Sequence, residues 1–415
     1  MFKRKVRYWS HSSKTKCVFV ENPESSLISI DIWVKAGVFF EKKNQFGVAH
    51  LLEHMIFKGS TELNPGEFDL KIESLGGSSN ASTGYDDAHY YVLIPPSNFK
   101  ESLSLLTNLV LNPKISEEEL ELEKLVVVEE INQQIDQPDE NLFDYFTNRF
   151  WIEHPYGKSI LGNEREIQKL QSTDLEEFHH ENYTPEGMCL AISGDLPKDL
   201  TNILEDCEFN FREERENRLK TFNQNIISRT GREEIYIDKL ELSRIYKGWL
   251  INSISSQKIT LGFEILASIL AEGRTSRLVN ELKEKNNLVE SVFADINTGE
   301  FGNTFILELC LRKENLDLVE SKLEEIVDNT FNDQIITEVE LRRAINLVKS
   351  NYVFNMETSS QLTSFYGCHF LWERKDPLKE FERNLNYLSK PENFKEIFGY
   401  IKKECYTLVA KRKCL

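Results

Sequence analysis

Cysteine is scarce and scattered, with seven residues at 17, 189, 207, 310, 368, 405 and 414 and no C-x-x-C pair among them. An odd, widely spaced set argues against a disulfide framework and against a cysteine-rich zinc site, and it fits a reducing compartment. Long apolar runs are missing: no stretch of 18 apolar residues occurs, and the basic start Met1-Phe2-Lys3-Arg4-Lys5-Val6-Arg7 is not followed by an apolar segment of signal-peptide length. The expectation is a soluble, cytoplasmic protein with no membrane partner. Positive charge is in deficit, 50 Lys and Arg against 68 Asp and Glu for a formal net charge of −18. That balance repels nucleic acid and anionic membranes, so neither is expected as a partner, and it leaves basic or neutral peptides as better candidates. Histidine is rare as well, 8 in 415 residues, which makes its placement informative.

Two of the eight fall in Gly47-Val48-Ala49-His50-Leu51-Leu52-Glu53-His54-Met55. On a helix His50 and His54 stand one above the other at i and i+4, with Glu53 on a neighbouring line. Scattering eight histidines at random over this length gives only roughly 0.15 such pairs, before any Glu is required between them. Neutral imidazoles bind Zn²⁺, and a catalytic zinc keeps three protein ligands and one open position. The spacing H-x-x-E-H reverses the commoner H-E-x-x-H and leaves Glu53 placed as a general base towards water.

At 415 residues, 40% hydrophobic and 28% charged, the chain suits two to three domains with ordinary cores. Strand-like segments at 16–20 and 26–37 precede the histidine helix, and a second helix at 67–75 is closed by Gly76-Gly77. Residues 78–95, polar at first and then apolar, read as one strand whose polar part lies at a sheet edge, ended by Pro95-Pro96. Helices are expected at 98–112, 117–134, 141–151 and 174–182, followed by an apolar strand at 187–194. The second half repeats this order in its strands and helices without metal-binding residues. The domain expectation is therefore 1–209 bearing the metal site, a charged linker at 210–228, and 229–415 as a similar domain without ligands.

A third zinc ligand should be a carboxylate on another rigid element. Spacing alone does not choose among Glu117, Glu118, Glu119, Glu121, Glu123, Glu129 and Glu130. His50-Leu51-Leu52-Glu53-His54-Met55-Ile56-Phe57-Lys58-Gly59-Ser60, with Glu123-Lys124-Leu125-Val126-Val127-Val128-Glu129-Glu130-Ile131 downstream, resembles the pitrilysin or insulinase family of metallopeptidases. Its members include insulin-degrading enzyme and the mitochondrial processing peptidases. The resemblance implies Glu130 as third ligand rather than Glu129, and assigns Glu123, seven residues earlier and on nearly the same helical stripe, to supporting the ligands. Gly76-Gly77-Ser78-Ser79-Asn80-Ala81-Ser82-Thr83 is similar to the family's edge strand, which implies Asn80, Ala81, Ser82 and Thr83 as the place where a peptide adds as an extra strand. His154-Pro155-Tyr156-Gly157 and the segment around Asn182-Tyr183 are also family-like.

The implied fold is α+β, with two homologous halves, each a largely antiparallel sheet packed with helices, facing each other across a cavity. The implied activity is zinc-dependent endopeptidase cleavage of short or unfolded peptides, or processing of a precursor, with one Zn²⁺ per chain and Glu53 as the base. The implied partner is a second homologous chain, in a homodimer or a heterodimer. One departure stands out: where family members place an Arg and, seven residues later, a Tyr that help to position substrate, this chain has Lys283 and Glu290. Lys lacks the planar fork of Arg, and Glu offers no neutral phenol to a developing oxyanion. The rival reading is a non-catalytic peptide-binding or assembly subunit, against which stands the complete set of His50, Glu53, His54 and Glu130. His89, His179, His180 and His369 need no metal role.

Overall fold

Segments rich in β-branched and aromatic residues form strands, and segments with 3.6-residue apolar periodicity form helices, in a computed structural model that describes residues 4–207, 209, 211, 226–238, 240–252, 256–332 and 335–412. In chain order the strands are β1 (Val6–Ser10), β2 (Lys16–Glu21), β3 (Ile28–Val34), β4 (Ser78–Thr83), β5 (Ala88–Ile94), β6 (Met188–Gly194), β7 (Gly231–Ile237), β8 (Ser243–Ile251), β9 (Val289–Thr298), β10 (Asn303–Leu311) and β11 (Tyr406–Arg412). The α-helices are α1 (Val48–Ile56), α2 (Glu67–Ser74), α3 (Phe99–Leu111), α4 (Glu117–Asp136), α5 (Pro138–Phe150), α6 (Glu164–Ile167), α7 (Ser172–Asn182), α8 (Leu200–Glu205), α9 (Gln257–Ala271), α10 (Leu316–Phe331), α11 (Glu338–Phe354), α12 (Ser359–Leu371), α13 (Pro377–Leu388) and α14 (Pro391–Phe394). They form two compact units. One comprises Met1–Gln133, Lys158–Thr221 and Phe354–Pro377, the other Gln134–Gly157, Phe222–Val353 and Leu378–Leu415.

The first unit is built on a six-stranded sheet in the order β1-β2-β6-β3-β5-β4, in which β2 and β6 are parallel and the other neighbours antiparallel. The second carries a five-stranded sheet, β7-β11-β8-β10-β9, in which only β7 and β11 are parallel. With β1 set aside the two orders are the same series, and the parallel pair sits at the same place in each. The fold is therefore α+β, with two similar halves and largely antiparallel sheets. β3 and β6 are buried at every residue, because helix α12 packs on β2, β6 and β3 and apolar side chains fill both faces of these central strands. The approach is close: a Cβ on Gly367 of α12 would stand 2.5 Å from Trp33 Cδ1 and 3.0 Å from Ala191 Cβ.

Residues 78–95 correct the sequence reading. They form not one strand but a hairpin, β4 and β5 joined through Gly84-Tyr85-Asp86-Asp87, with the Gly84 amide donating to the Asp87 carbonyl at 2.8 Å. Polar and apolar parts pair with each other side by side, and only β4 lies at the edge. The compact units also do not follow a contiguous division at 209 and 229. α5 belongs to the second unit, where the Phe146 ring lies 5.4 Å from Tyr246 and 5.6 Å from Tyr406, and α12 belongs to the first. Apolar periodicity marks which face a helix buries but not against which sheet. Most of the charged segment 210–228 lies outside the described residues. Residues Val279–Lys285 form a π-helix. Among the described residues no helix is long and apolar enough to cross a membrane, and the described cysteines are all free.

The tight seat of α12 yields a stability prediction. Gly367→Val should lower stability by about 1–3 kcal/mol through overpacking against Trp33 and Ala191. Gly399→Ala, where an added Cβ meets nothing within 4 Å, should change it by less than about 0.5 kcal/mol. Thermal and urea unfolding of the two variants beside the parent protein checks both.

Candidate metal centre

Helix α1 is buried nearly all round, with Val48, Ala49, Leu51, Leu52, Met55 and Ile56 inaccessible, so its histidines are held by packing rather than by solvent-facing propensity. Its N-terminus is closed from a distance. Gly47 precedes it at φ +96°, and the buried carboxylate of Glu41 accepts hydrogen bonds from the Gly47 and Ala49 amides, each at 3.0 Å. An anion at this end satisfies amides that the helix itself leaves unpaired and interacts favourably with the helix dipole. No local sequence signal marked Glu41, because it lies six residues before the helix cap.

His50 and His54 stand together with ring centroids 4.7 Å apart. Glu130 reaches them from α4, its Oε2 3.8 Å from His50 Nε2 and 3.6 Å from His54 Nε2. One donor atom from each of the three lies within 4.8 Å of the others, and among the described residues this is the one cluster able to hold a metal ion. Donors of a tetrahedral zinc with 2.0–2.1 Å bonds lie about 3.3–3.5 Å apart, so the observed separations need little closing. Glu130 Oε2 is buried and has no hydrogen-bond partner. A buried carboxylate oxygen left unpaired is costly, and a cation between it and the two imidazoles satisfies it. The residues present therefore fit a zinc ion. Glu129, the rival in sequence, is exposed to solvent and is not part of the cluster.

The protonation state of His50 suits ligation. Burial, reinforced by the charge of His54, holds His50 down to a pKa of about 4, so its imidazole is neutral with a lone pair available. Burial also opposes charge on His54, but the hydrogen bond to Glu123 and the charges of Glu130, Glu123 and Glu53 outweigh it and raise its pKa. Glu123 is 5% exposed. It accepts from His54 Nδ1 at 2.8 Å and from Lys58 Nζ at 2.6 Å, and although burial raises its pKa, these two donors pull it below the usual carboxylate range. This orients His54 with Nε2 towards Glu130. His50 has no matching support, since its Nδ1 is buried without a hydrogen-bond partner. Lys58 lies in the turn just past α1, so helical spacing did not mark it.

Glu53 lies on the same helix. Its Oε2 accepts a hydrogen bond from the hydroxyl of Thr83, and burial raises its pKa over the opposing effect of that bond, moving it towards the range where a carboxylate takes up a proton near neutrality. Thr83 is buried and faces Glu53 from β4, while Asn80 and Ser82 are exposed and Ala81 is half-buried on the same edge strand. Lys283 and Glu290 lie in the second unit, where the Lys283 amine donates to the Glu290 carbonyl at 2.6 Å and the Glu290 carboxylate stands 3.6 Å from Arg312. Behind Glu53 the buried hydroxyls of Tyr90 and Tyr183 meet at 2.7 Å. His179 stacks on Tyr183 at 4.3 Å with its Nε2 bonded to the Val110 carbonyl.

Comparison with known proteins bears on this geometry. The family described as Insulinase (Peptidase family M16) matches residues 16–164, and that described as Peptidase M16 inactive domain matches residues 169–348. An uncharacterized zinc protease of Mycobacterium leprae is 26% identical over 341 residues, 82% of this chain and 76% of that protein. Zinc protease PqqE of Helicobacter pylori is 26% identical over 380 residues, 87% of this chain and 82% of that protein. Among solved structures, a protease from Helicobacter pylori superposes with a TM-score of 0.89 at 22% identity, covering 99% of this chain and 100% of that one, and a putative M16-like peptidase from Alicyclobacillus acidocaldarius gives 0.85 at 16% identity over 100% and 99% of the two chains. The inverted His50-x-x-Glu53-His54 helix lies inside the first matched region and four of the five strands of the second sheet, β7 to β10, inside the second, and the chain belongs to the insulinase (M16) peptidase family.

Proposed function

We propose that the chain is a zinc-dependent endopeptidase that cleaves short or unfolded peptides lying along β4. The observation that carries this reading is the unpaired buried Glu130 Oε2 converging on His50 and His54 beside a base, Glu53, that is itself bonded to the edge strand. The zinc-protease names of relatives agree with it. Zn²⁺ held by His50, His54 and Glu130, one per chain, supplies Lewis acidity that polarises the scissile carbonyl and acidifies the attacking water.

The chain's own residues do the rest. Unpaired backbone groups along β4 take up an extended peptide as an added strand, with Asn80, Ala81 and Ser82 lying alongside it. Glu53 takes the proton of the attacking water as its oxygen bonds to the carbonyl carbon, then delivers that proton to the leaving amine as the C–N bond breaks. Thr83 holds the carboxylate in line for both transfers, and Glu123 with Lys58 keeps His54 in its ligating orientation. A folded substrate has no unpaired strand to offer, so unfolded or short peptides are the substrate class.

A second reading concerns assembly. Lys283 is occupied by the Glu290 carbonyl and Glu290 faces Arg312, so neither offers the planar donor or the neutral phenol that family members place here. This favours a chain that works as the catalytic subunit of a heterodimer, whose homologous subunit brings the clamp; the alternative is a self-sufficient homodimer, in which the second copy carries the same Lys283 and Glu290. Cleavage that appears only when a homologous partner is added supports the heterodimer, and full turnover by the purified chain removes it.

Glu53→Gln should leave zinc content near one per chain and reduce peptide cleavage at least about 100-fold, measured on a mixed pool of short unfolded peptides. Cleavage retained in the variant removes Glu53 as the base, and absence of zinc from the parent protein removes the metallopeptidase reading. Lys58→Met and Glu123→Gln should each weaken zinc binding about 10- to 100-fold, with Lys58→Arg losing less, as read by competition with a chromophoric chelator.

A further inference from the structure

The face of the first sheet turned away from α1 holds a row of rings that the metal centre does not use. Strand register sets Ser82 of β4 opposite His89 of β5, and His89 opposite Trp33 of β3. The Trp33 and His89 rings lie 4.1 Å apart with their planes 11° from parallel. At that distance and angle one ring sits over the other, so the ring normals run along the row, across the strands. One imidazole face is thus covered by Trp33, and the other looks towards Ser82. Tyr91, two residues on, stands 5.6 Å from His89 at 16° and extends the same upright surface.

Two features keep this face open. Helix α12 covers β2, β6 and β3, leaving Asn80 and Ser82 exposed and His89 and Tyr91 partly so. The imidazole cannot swing into the opening, because its Nδ1 is bonded at 3.0 Å to Asp31, a carboxylate only 2% exposed, while the His89 side chain retains 17% exposure. Its Nε2 has no partner among the described residues. A histidine fixed at one nitrogen, covered on one face and open on the other is a built surface rather than a mobile side chain.

We propose that His89, Ser82 and Tyr91 form a subsite for one aromatic side chain of the peptide that adds to β4. This rests on the reading of β4 as the peptide-accepting edge. Strands in a sheet are about 4.8 Å apart, so the peptide residue opposite Ser82 lies two spacings, about 10 Å, from His89. A Phe or Tyr ring folded back over the small Ser82 side chain closes that gap to the 4.5–7 Å between centroids at which aromatic rings stack. It continues the Trp33–His89 stack by one ring. Ser82 matters by its size, since a larger side chain there occupies the space over the imidazole. The subsite takes the residue opposite Ser82 and not its two sequence neighbours, because successive side chains of an added strand alternate between the two faces of the sheet.

The test uses the full-length Glu53→Gln protein loaded with zinc, so that peptides bind without being cut. A fluorescein-labelled alanine- and serine-based peptide, and versions with Phe placed at each position in turn, are titrated by fluorescence anisotropy. One position is expected to bind about fivefold tighter as Phe than as Ala. His89→Ala and, independently, Ser82→Leu should each bring that ratio close to one. Ser82→Leu alters an exposed edge position and keeps the test decisive if His89→Ala, which takes the imidazole from the buried Asp31, does not fold. A Phe preference unchanged in both variants, or no preference in the parent, overturns the subsite while leaving the peptide-binding edge intact. Failure of every peptide to bind overturns the edge reading and the subsite with it.

Discussion

The candidate metal centre depends on one carboxylate that solvent barely reaches. Glu123 lies between His54 and Lys58, and an anion buried there without both donors would be strongly unfavourable. With them it is ionised and aimed, and it turns His54 so that Nε2 faces the neighbouring helix. Seven residues on, the same stripe of α4 delivers Glu130. A single contact between α1 and α4 therefore orients one imidazole and brings a carboxylate to it, while Glu41 secures the opposite end of α1 through two backbone amides. Displacing either helix would separate the three donors at once.

The edge strand joins this centre to the rest of the sheet. Period-two alternation along β4 sends Thr83 inwards to Glu53 and Ser82 to the opposite face, in register with His89. Chemistry and side-chain selection can therefore occupy opposite faces of one short strand without competing for space. The second sheet has the same strand order, with β9 at the edge where β4 stands in the first. No metal-binding cluster accompanies it among the described residues. Topology repeats while chemistry does not, because strand order follows from backbone pairing and apolar patterning, whereas a metal site needs specific side chains at a few positions.

Much of the fold was legible in the residues. The strands at 16–21, 28–34, 188–194 and 303–311 and the helices at 99–111, 117–136 and 338–354 carry strong local patterns, and so does the repeated order of the halves. What was not legible depended on long-range pairing. The turn at Gly84-Tyr85-Asp86-Asp87 splits what looks like one strand, because whether a polar run continues an apolar one or folds back on it depends on which hydrogen bonds the backbone finds. β7 and β11 pair across most of the second half, and neither was marked by local composition. The exchange of α5 and α12 between units was equally hidden, since an amphipathic helix shows its apolar face without naming the surface that covers it.

At the site the division is similar. That two imidazoles and a carboxylate share one face of a helix could be read from the residues, because 3.6-residue spacing follows from local backbone geometry alone. The sequence also narrowed the third ligand to one acidic helix, and the family resemblance pointed to Glu130. Only the tertiary structure put Glu130 rather than Glu129 beside the histidines, paired Glu123 with Lys58, turned Thr83 to the base, and locked His89 onto Asp31. Those choices depend on the rotation of α4 about its axis and on the register of β4 against β5. Packing of segments far apart in the chain sets both, and no local pattern encodes either.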